Sequence, residues 1–130
     1  MNSERHQPPE RRGNSNSTLL QSISKAFRGI MVAIRSERNV KIHLVATVLV
    51  VIAGVRHRVS AVEWTVLCLC VAMVMVAELL NTAIEKTLDR IGDELHPLAR
   101  DAKDIAAGAV LTASIFAVVI AVVIFWERFF

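Results

Sequence analysis

Between Leu44 and Trp126 the chain carries three blocks so apolar that water cannot be the solvent for their outer faces. LVATVLVVIAGV, extended by Val40 and Ile42, makes a short first block. AVEWTVLCLCVAMVMVAELL (61–80) and IAAGAVLTASIFAVVIAVVIFW (105–126) make two longer ones. About twenty consecutive apolar residues match the hydrocarbon thickness of a bilayer when wound as an α-helix. Only helices and closed barrels satisfy every backbone group inside that layer. The reading is therefore an all-α membrane protein with three transmembrane helices, over about 40–58, 61–80 and 105–126. Composition agrees: 54 % of the 130 residues are hydrophobic, yet only 5 % are aromatic.

The segment ahead of the first block is of another kind. Over 18–36 (TLLQSISKAFRGIMVAIRS), Leu20, Ile23, Phe27, Ile30, Met31 and Ile34 recur at spacings of three and four. Ser22, Lys25, Arg28 and Arg35 fall mostly on the opposite side. A basic amphipathic helix of this sort lies in the membrane interface, so an N-terminal surface helix is expected here. Residues 1–17 are polar, hold Pro8, Pro9 and Gly13, and have no apolar signal core. They are expected to form a disordered cytoplasmic tail, with one membrane domain over 18–130.

Charge sets the expected orientation. The net charge of +3 is too small to argue for nucleic acid, and no nucleic-acid partner is expected. With the N-terminus inside, the cytoplasmic segments hold twelve of the fifteen basic residues, leaving Arg56, Arg58 and Arg128 outside. That satisfies the positive-inside rule and places the C-terminus outside. Cys68 and Cys70 are two apart within an apolar block, face different sides of a helix, and read as ordinary small apolar residues.

Chemistry concentrates where the second block runs out of apolar residues. In ELLNTAIEKTLD (78–89), Glu78, Glu85 and Asp89 lie within roughly 40° of one another on one helix face, with Asn81 beside them. Glu78 and Glu85 are about 10 Å apart along the axis, so one carboxylate sits deeper than the other. Acids at a membrane boundary are expensive and are functional candidates by default. The connection GDELHPLARD (92–101) is short enough to make the second and third spans antiparallel neighbours. Lys103 and Asp104 should then face the Glu85–Asp89 turns, while Glu37-Arg-Asn39-Val-Lys41-Ile-His43 enters the first span at the same depth. Carboxylates such as Glu37 and Glu85 form an oxygen-rich site suited to Mg²⁺. Lys103 brings positive charge for a phosphate, and Glu78, deeper and drier, is the candidate base for a hydroxyl group. These are the parts of phosphoryl transfer, without any Gly-rich phosphate loop.

At these residues the chain resembles the prokaryotic diacylglycerol kinase family, small membrane lipid kinases that include undecaprenol kinases. The matching pieces are AFRGI (26–30), ERNVKIH (37–43), AELLNTAIEKTLDRI (77–91) and ELHPLARDAKDIAAGAV (94–110). The resemblance implies a homotrimer of three-span subunits in a bacterial inner membrane, with active sites shared between subunits. It implies Mg·ATP as phosphoryl donor and a lipid alcohol, diacylglycerol or undecaprenol, as acceptor. Carried over by motif, Glu78 looks like the general base, and Glu37 and Glu85 like the metal and nucleotide ligands. Asn81, Glu94, His96, Lys103 and Asp104 look like nucleotide- or phosphate-contacting positions. Lys25 falls where family members contact nucleotide. Arg28, with Glu78 and Asn81, falls where they contact the lipid substrate. The form of ERNVKIH looks closer to the undecaprenol kinase branch, since the enteric branch has a second acid where this chain has His43. Two other classes compete. A non-catalytic assembly or lipid-binding subunit would use the polar cluster only as interhelical glue. A small channel or transporter subunit would need polar residues along the spans, and the third offers only Thr112 and Ser114.

Overall fold

A computed structural model describes residues 15–90 and 97–129. Among them the chain forms four α-helices in sequence: α1 (Ser15–Ser36), α2 (Arg38–Arg56), α3 (Ala61–Asp89) and α4 (Pro97–Phe129). Three of these, α2, α3 and α4, are long and apolar enough to cross a membrane. The all-α membrane architecture and the short N-terminal helix expected from the sequence are both present.

The boundaries differ from expectation in instructive ways. Helix α1 begins at Ser15 and takes in the last residues assigned to the tail; residues 1–14 of that tail lie outside the described residues. Helix α4 begins at Pro97, eight positions before the apolar block. Proline lacks an N–H and has its φ preset, which suits the first position of a helix, so Pro97 starts α4 where the sequence reading had placed a connection. Arg100, Asp101, Lys103 and Asp104 consequently ride on the first two turns of a helix. Helix α3 runs on past Leu80 to Asp89, as the sequence suggested, and its 29 residues span about 43 Å. Gly92, a residue type suited to ending this helix, lies outside the described residues.

One residue separates α1 from α2. Glu37 is extended (φ −99°, ψ 126°), although its N–H still donates to the Ala33 carbonyl at 2.9 Å. At that corner Ala33 and Val40 are buried. At the other end of α2 the chain turns through four residues. Arg58 takes a left-handed conformation (φ 52°), its N–H bonds to the Val55 carbonyl, and the Val59 N–H reaches back to the Gly54 carbonyl. This is a Schellman closure, and Val59, just beyond it, is the apolar residue that such an ending tucks inward. Ser60 then caps α3 in a reciprocal box with Glu63: Glu63 N–H donates to Ser60 Oγ at 3.3 Å, and Ser60 N–H to Glu63 Oε2 at 2.7 Å.

Packing within the chain is strongest between α3 and α4. Val59, Leu67 and Phe125 form a buried cluster at the Schellman end, flanked by Trp64, Ala53 and Ile124. Gly54 faces the Trp64 ring so closely that a Cβ there would lie 2.6 Å from the indole. In the small-residue run at the start of the third span, Ala106 is buried, whereas Gly108 has open space around it. Most large apolar side chains remain on the outside, among them Val62, Ile105 and Val123. An outward apolar shell over polar helix ends is the arrangement that hydrocarbon solvates, and the chain is a membrane protein.

Candidate active site

Among the described residues, the Glu78–Asn81 end of the α3 polar stripe is taken inside, while Glu85 is half-buried and Asp89 is exposed. Glu78 is 1 % exposed, Asn81 6 % and Thr82 5 %. Glu78 Oε2, Asn81 Oδ1 and Thr82 Oγ1 are buried without a hydrogen-bond partner. Buried polar atoms are normally paired, and leaving one unpaired costs about 1–3 kcal/mol. Three such atoms within two turns mark a place built to receive something.

Each surrounding element delivers one layer of this place. From the first turns of α2, Asn39 comes within hydrogen-bonding reach of the Glu78 carboxylate, and His43, Glu85 and Glu37 lie close enough to interact with it electrostatically. One turn beyond Asn81, its amide Nδ2 donates to Glu85 Oε1 at 3.3 Å. The helix break places Glu37 at the α1–α2 corner, where its side chain does not cap α2. Instead Oε1 accepts from the Ser36 hydroxyl at 2.8 Å and pairs with Lys86 Nζ at 3.0 Å. The Ser36 hydroxyl first and the Lys86 ammonium second hold the Glu37 carboxyl below its ordinary value. From α4, Lys103 Nζ reaches Asp89 Oδ1 at 2.5 Å.

The residues singled out by sequence thus fare differently. Glu37, Glu78, Asn81 and Glu85 come together, and Lys103 joins them through Asp89, one turn beyond Glu85. Asp104 is exposed and makes no ion pair among the described residues. Lys25 and Arg28 do not join the acids. They line a separate groove of about 460 Å³ between α1 and α3, together with Val32, Thr82 and Lys86. Glu94 and His96 lie outside the described residues. Sequence reasoning did not single out Asn39, Thr82 or Lys86. Asn39 and His43 are four apart and share a helix face, a signal that was available. Thr82 and Lys86 lie off the acid stripe, and their importance depends on what packs beside α3.

No group of three or more acids, histidines or cysteines is placed to hold a metal among the described residues. The donors at hand are mostly oxygen: carboxylates of Glu37 and Glu85, with unpaired Glu78 Oε2 and Asn81 Oδ1 nearby, and His43 adding an imidazole beside Glu78. A hard cation that binds through one or two carboxylates, keeping its other positions for phosphate and water, fits that set. A soft-ligand metal does not.

Comparison with known proteins defines the class. Residues 24–125 match the prokaryotic diacylglycerol kinase family. The chain is 40 % identical over 115 residues to an undecaprenol kinase of Bacillus subtilis, covering 88 % of this chain and 94 % of that one. It is 43 % identical over 103 residues to a diacylglycerol kinase of Synechocystis, covering 78 % and 59 %. It is 34 % identical over 111 residues to a diacylglycerol kinase of Escherichia coli K12, covering 85 % and 91 %. The chain belongs to the prokaryotic diacylglycerol kinase family and is a membrane lipid kinase. A purely structural polar cluster and a channel subunit are thereby set aside.

Proposed function

We propose that this protein transfers the γ-phosphoryl group of Mg·ATP to the hydroxyl of a membrane lipid alcohol, diacylglycerol or undecaprenol, giving phosphatidic acid or undecaprenyl phosphate. The observation that carries the reading is Glu78: a fully enclosed carboxylate with an unpaired oxygen, one layer deeper than Glu85 on the same helix. The depth difference suits two substrates of opposite character. The lipid hydroxyl approaches from the bilayer side, where Glu78 takes its proton. The freed oxygen attacks the γ-phosphorus as the bond to the β-phosphate oxygen breaks, leaving ADP. Asn39 orients the Glu78 carboxylate, and Asn81 spaces it from Glu85. Mg²⁺, held by Glu37 and Glu85, supplies neutralisation of phosphate charge. Lys103, released from Asp89, faces the phosphates, and Asp104, Glu94, His96 and Lys25 complete the nucleotide side. Arg28 is assigned to the lipid substrate with Glu78 and Asn81. The working unit is a homotrimer with shared sites in a bacterial inner membrane, N-terminus cytoplasmic. The uncovered apolar faces of α2 and α4 are consistent with partners there.

The test is Glu78→Gln, assayed on diacylglycerol and undecaprenol side by side. A positioned general base contributes about 10²–10⁴-fold, so turnover should fall at least a hundredfold while the variant keeps its assembly state and melting temperature. Near-normal turnover in a well-folded variant would remove the proposed base. The preferred acceptor is the one with the higher kcat/KM. The form of ERNVKIH is a matter of lineage, closer to the undecaprenol kinase branch, and leaves the acceptor to this assay.

A further inference from the structure

Lys86 follows Glu85 by one residue and therefore points about 100° away from the acid stripe, toward α1. There its ammonium lies 3.0 Å from Glu37 Oε1, the same oxygen that takes the Ser36 hydroxyl at 2.8 Å. A carboxylate oxygen engaged by an ammonium cannot also engage a metal cation without placing two positive charges side by side. For Oε1, serving a metal and pairing with Lys86 are therefore alternatives, and a metal held through Oε2 would still be repelled by the ammonium on the same carboxylate.

The side chain of Lys86 is 45 % exposed and has somewhere else to go. It also lines the α1–α3 groove, with Lys25 and Arg28 along the same wall. Neither of those two has an ion-pair partner among the described residues. Three basic side chains along it make the groove a place for anionic oxygens rather than for an acid of the chain itself.

We propose that Lys86 is a positioning residue: its ammonium holds Glu37 and exchanges it for the phosphates of the donor when Glu37 turns to the metal. The proposal rests on the kinase reading, in which Glu37 is a metal ligand. It also makes metal and nucleotide binding respond to Lys86 in opposite directions, which a merely structural lysine would not produce.

The experiment measures Mn²⁺ binding by electron paramagnetic resonance with no nucleotide present, and binding of a fluorescent ATP analogue with no lipid present. Exposed ion pairs are weak, so Lys86→Met should tighten Mn²⁺ roughly two- to fivefold and weaken the nucleotide by a similar factor. Lys86→Arg, which keeps the charge, should stay within about twofold of wild type on both. Lys86→Gln repeats the charge removal if the methionine variant folds poorly. Unchanged or weaker Mn²⁺ binding in the charge-removed variants would overturn the exchange. Glu37→Gln separates the two levels of the argument. If it weakens Mn²⁺ binding while Lys86→Met changes nothing, only the exchange is wrong. If Glu37→Gln leaves Mn²⁺ binding untouched, Glu37 is no ligand, and both the exchange and this part of the kinase site fail.

Discussion

Glu37 owes its position to a backbone event. Helix α1 ends at Ser36, α2 starts at Arg38, and the single extended residue between them swings its carboxylate toward α3. The Ser36 hydroxyl foremost, and the Lys86 ammonium after it, keep that carboxyl below its ordinary value in the folded chain. A folded value below the unfolded one means stabilisation that is complete above the unfolded value, about 4.3, and is lost as pH falls through the folded value. The melting-temperature difference between wild type and Glu37→Gln should therefore be constant from pH 7 to about 5 and shrink below about 4. The pair is partly exposed, so its contribution is at most about 1 kcal/mol. A difference that grows on acidification would contradict this account. The stripe of Glu78, Asn81, Glu85 and Asp89 was legible from helical period alone, because one helix supplies all four. The partners of Glu37 and Glu78 were not, because Lys86, Asn39 and His43 meet those acids only through packing between helices.

Among the elements, the α2–α3 corner is the most completely specified. Schellman closure at Arg58, inward tucking of Val59 and the Ser60–Glu63 box follow one another within six residues. Glu63 does a second job: both of its carboxylate oxygens receive Arg128 Nη2 at 2.9 Å, which ties the end of α4 to the start of α3. Removing Glu63 loses the box and the bridge, whereas removing Arg128 loses the bridge and its hydrogen bond to the Ile124 carbonyl and leaves the box intact. Glu63→Ala should accordingly destabilise more than Arg128→Met, and the double variant should cost less than the two single costs added together. Unfolding titrations in detergent would measure all three, and equal costs for the two single variants would refute the double role. The sequence showed Glu63 and Arg128 only as two interfacial residues, since a contact across 65 positions leaves no local pattern. Likewise, the apolar block marked where the third span is greasy, while Pro97 marked where its helix begins.

For the molecule as a whole, three crossings by α2, α3 and α4 would place Ser22 and Phe129 on opposite sides of the membrane. The uneven distribution of basic residues then predicts which side is which. With Cys68 and Cys70 replaced by alanine, a cysteine at Ser22 should resist a membrane-impermeant maleimide in intact cells, and one at Phe129 should react. The reverse labelling pattern would invert the proposed orientation and move the acid stripe away from the cytoplasmic nucleotide pool.

Helix α3, at about 43 Å, exceeds a hydrocarbon layer of about 30 Å, whereas α2 at about 28 Å barely fills it. In the proposed orientation the surplus would lift Glu85 clear of the acyl chains and leave Glu78 near their upper edge. Lipid thickness therefore becomes a setting of the enzyme itself. Longer phospholipid tails would raise the oily boundary toward Glu85 and drown the donor side. Shorter tails would lower it past Glu78 and strand the acceptor's hydroxyl beneath its base.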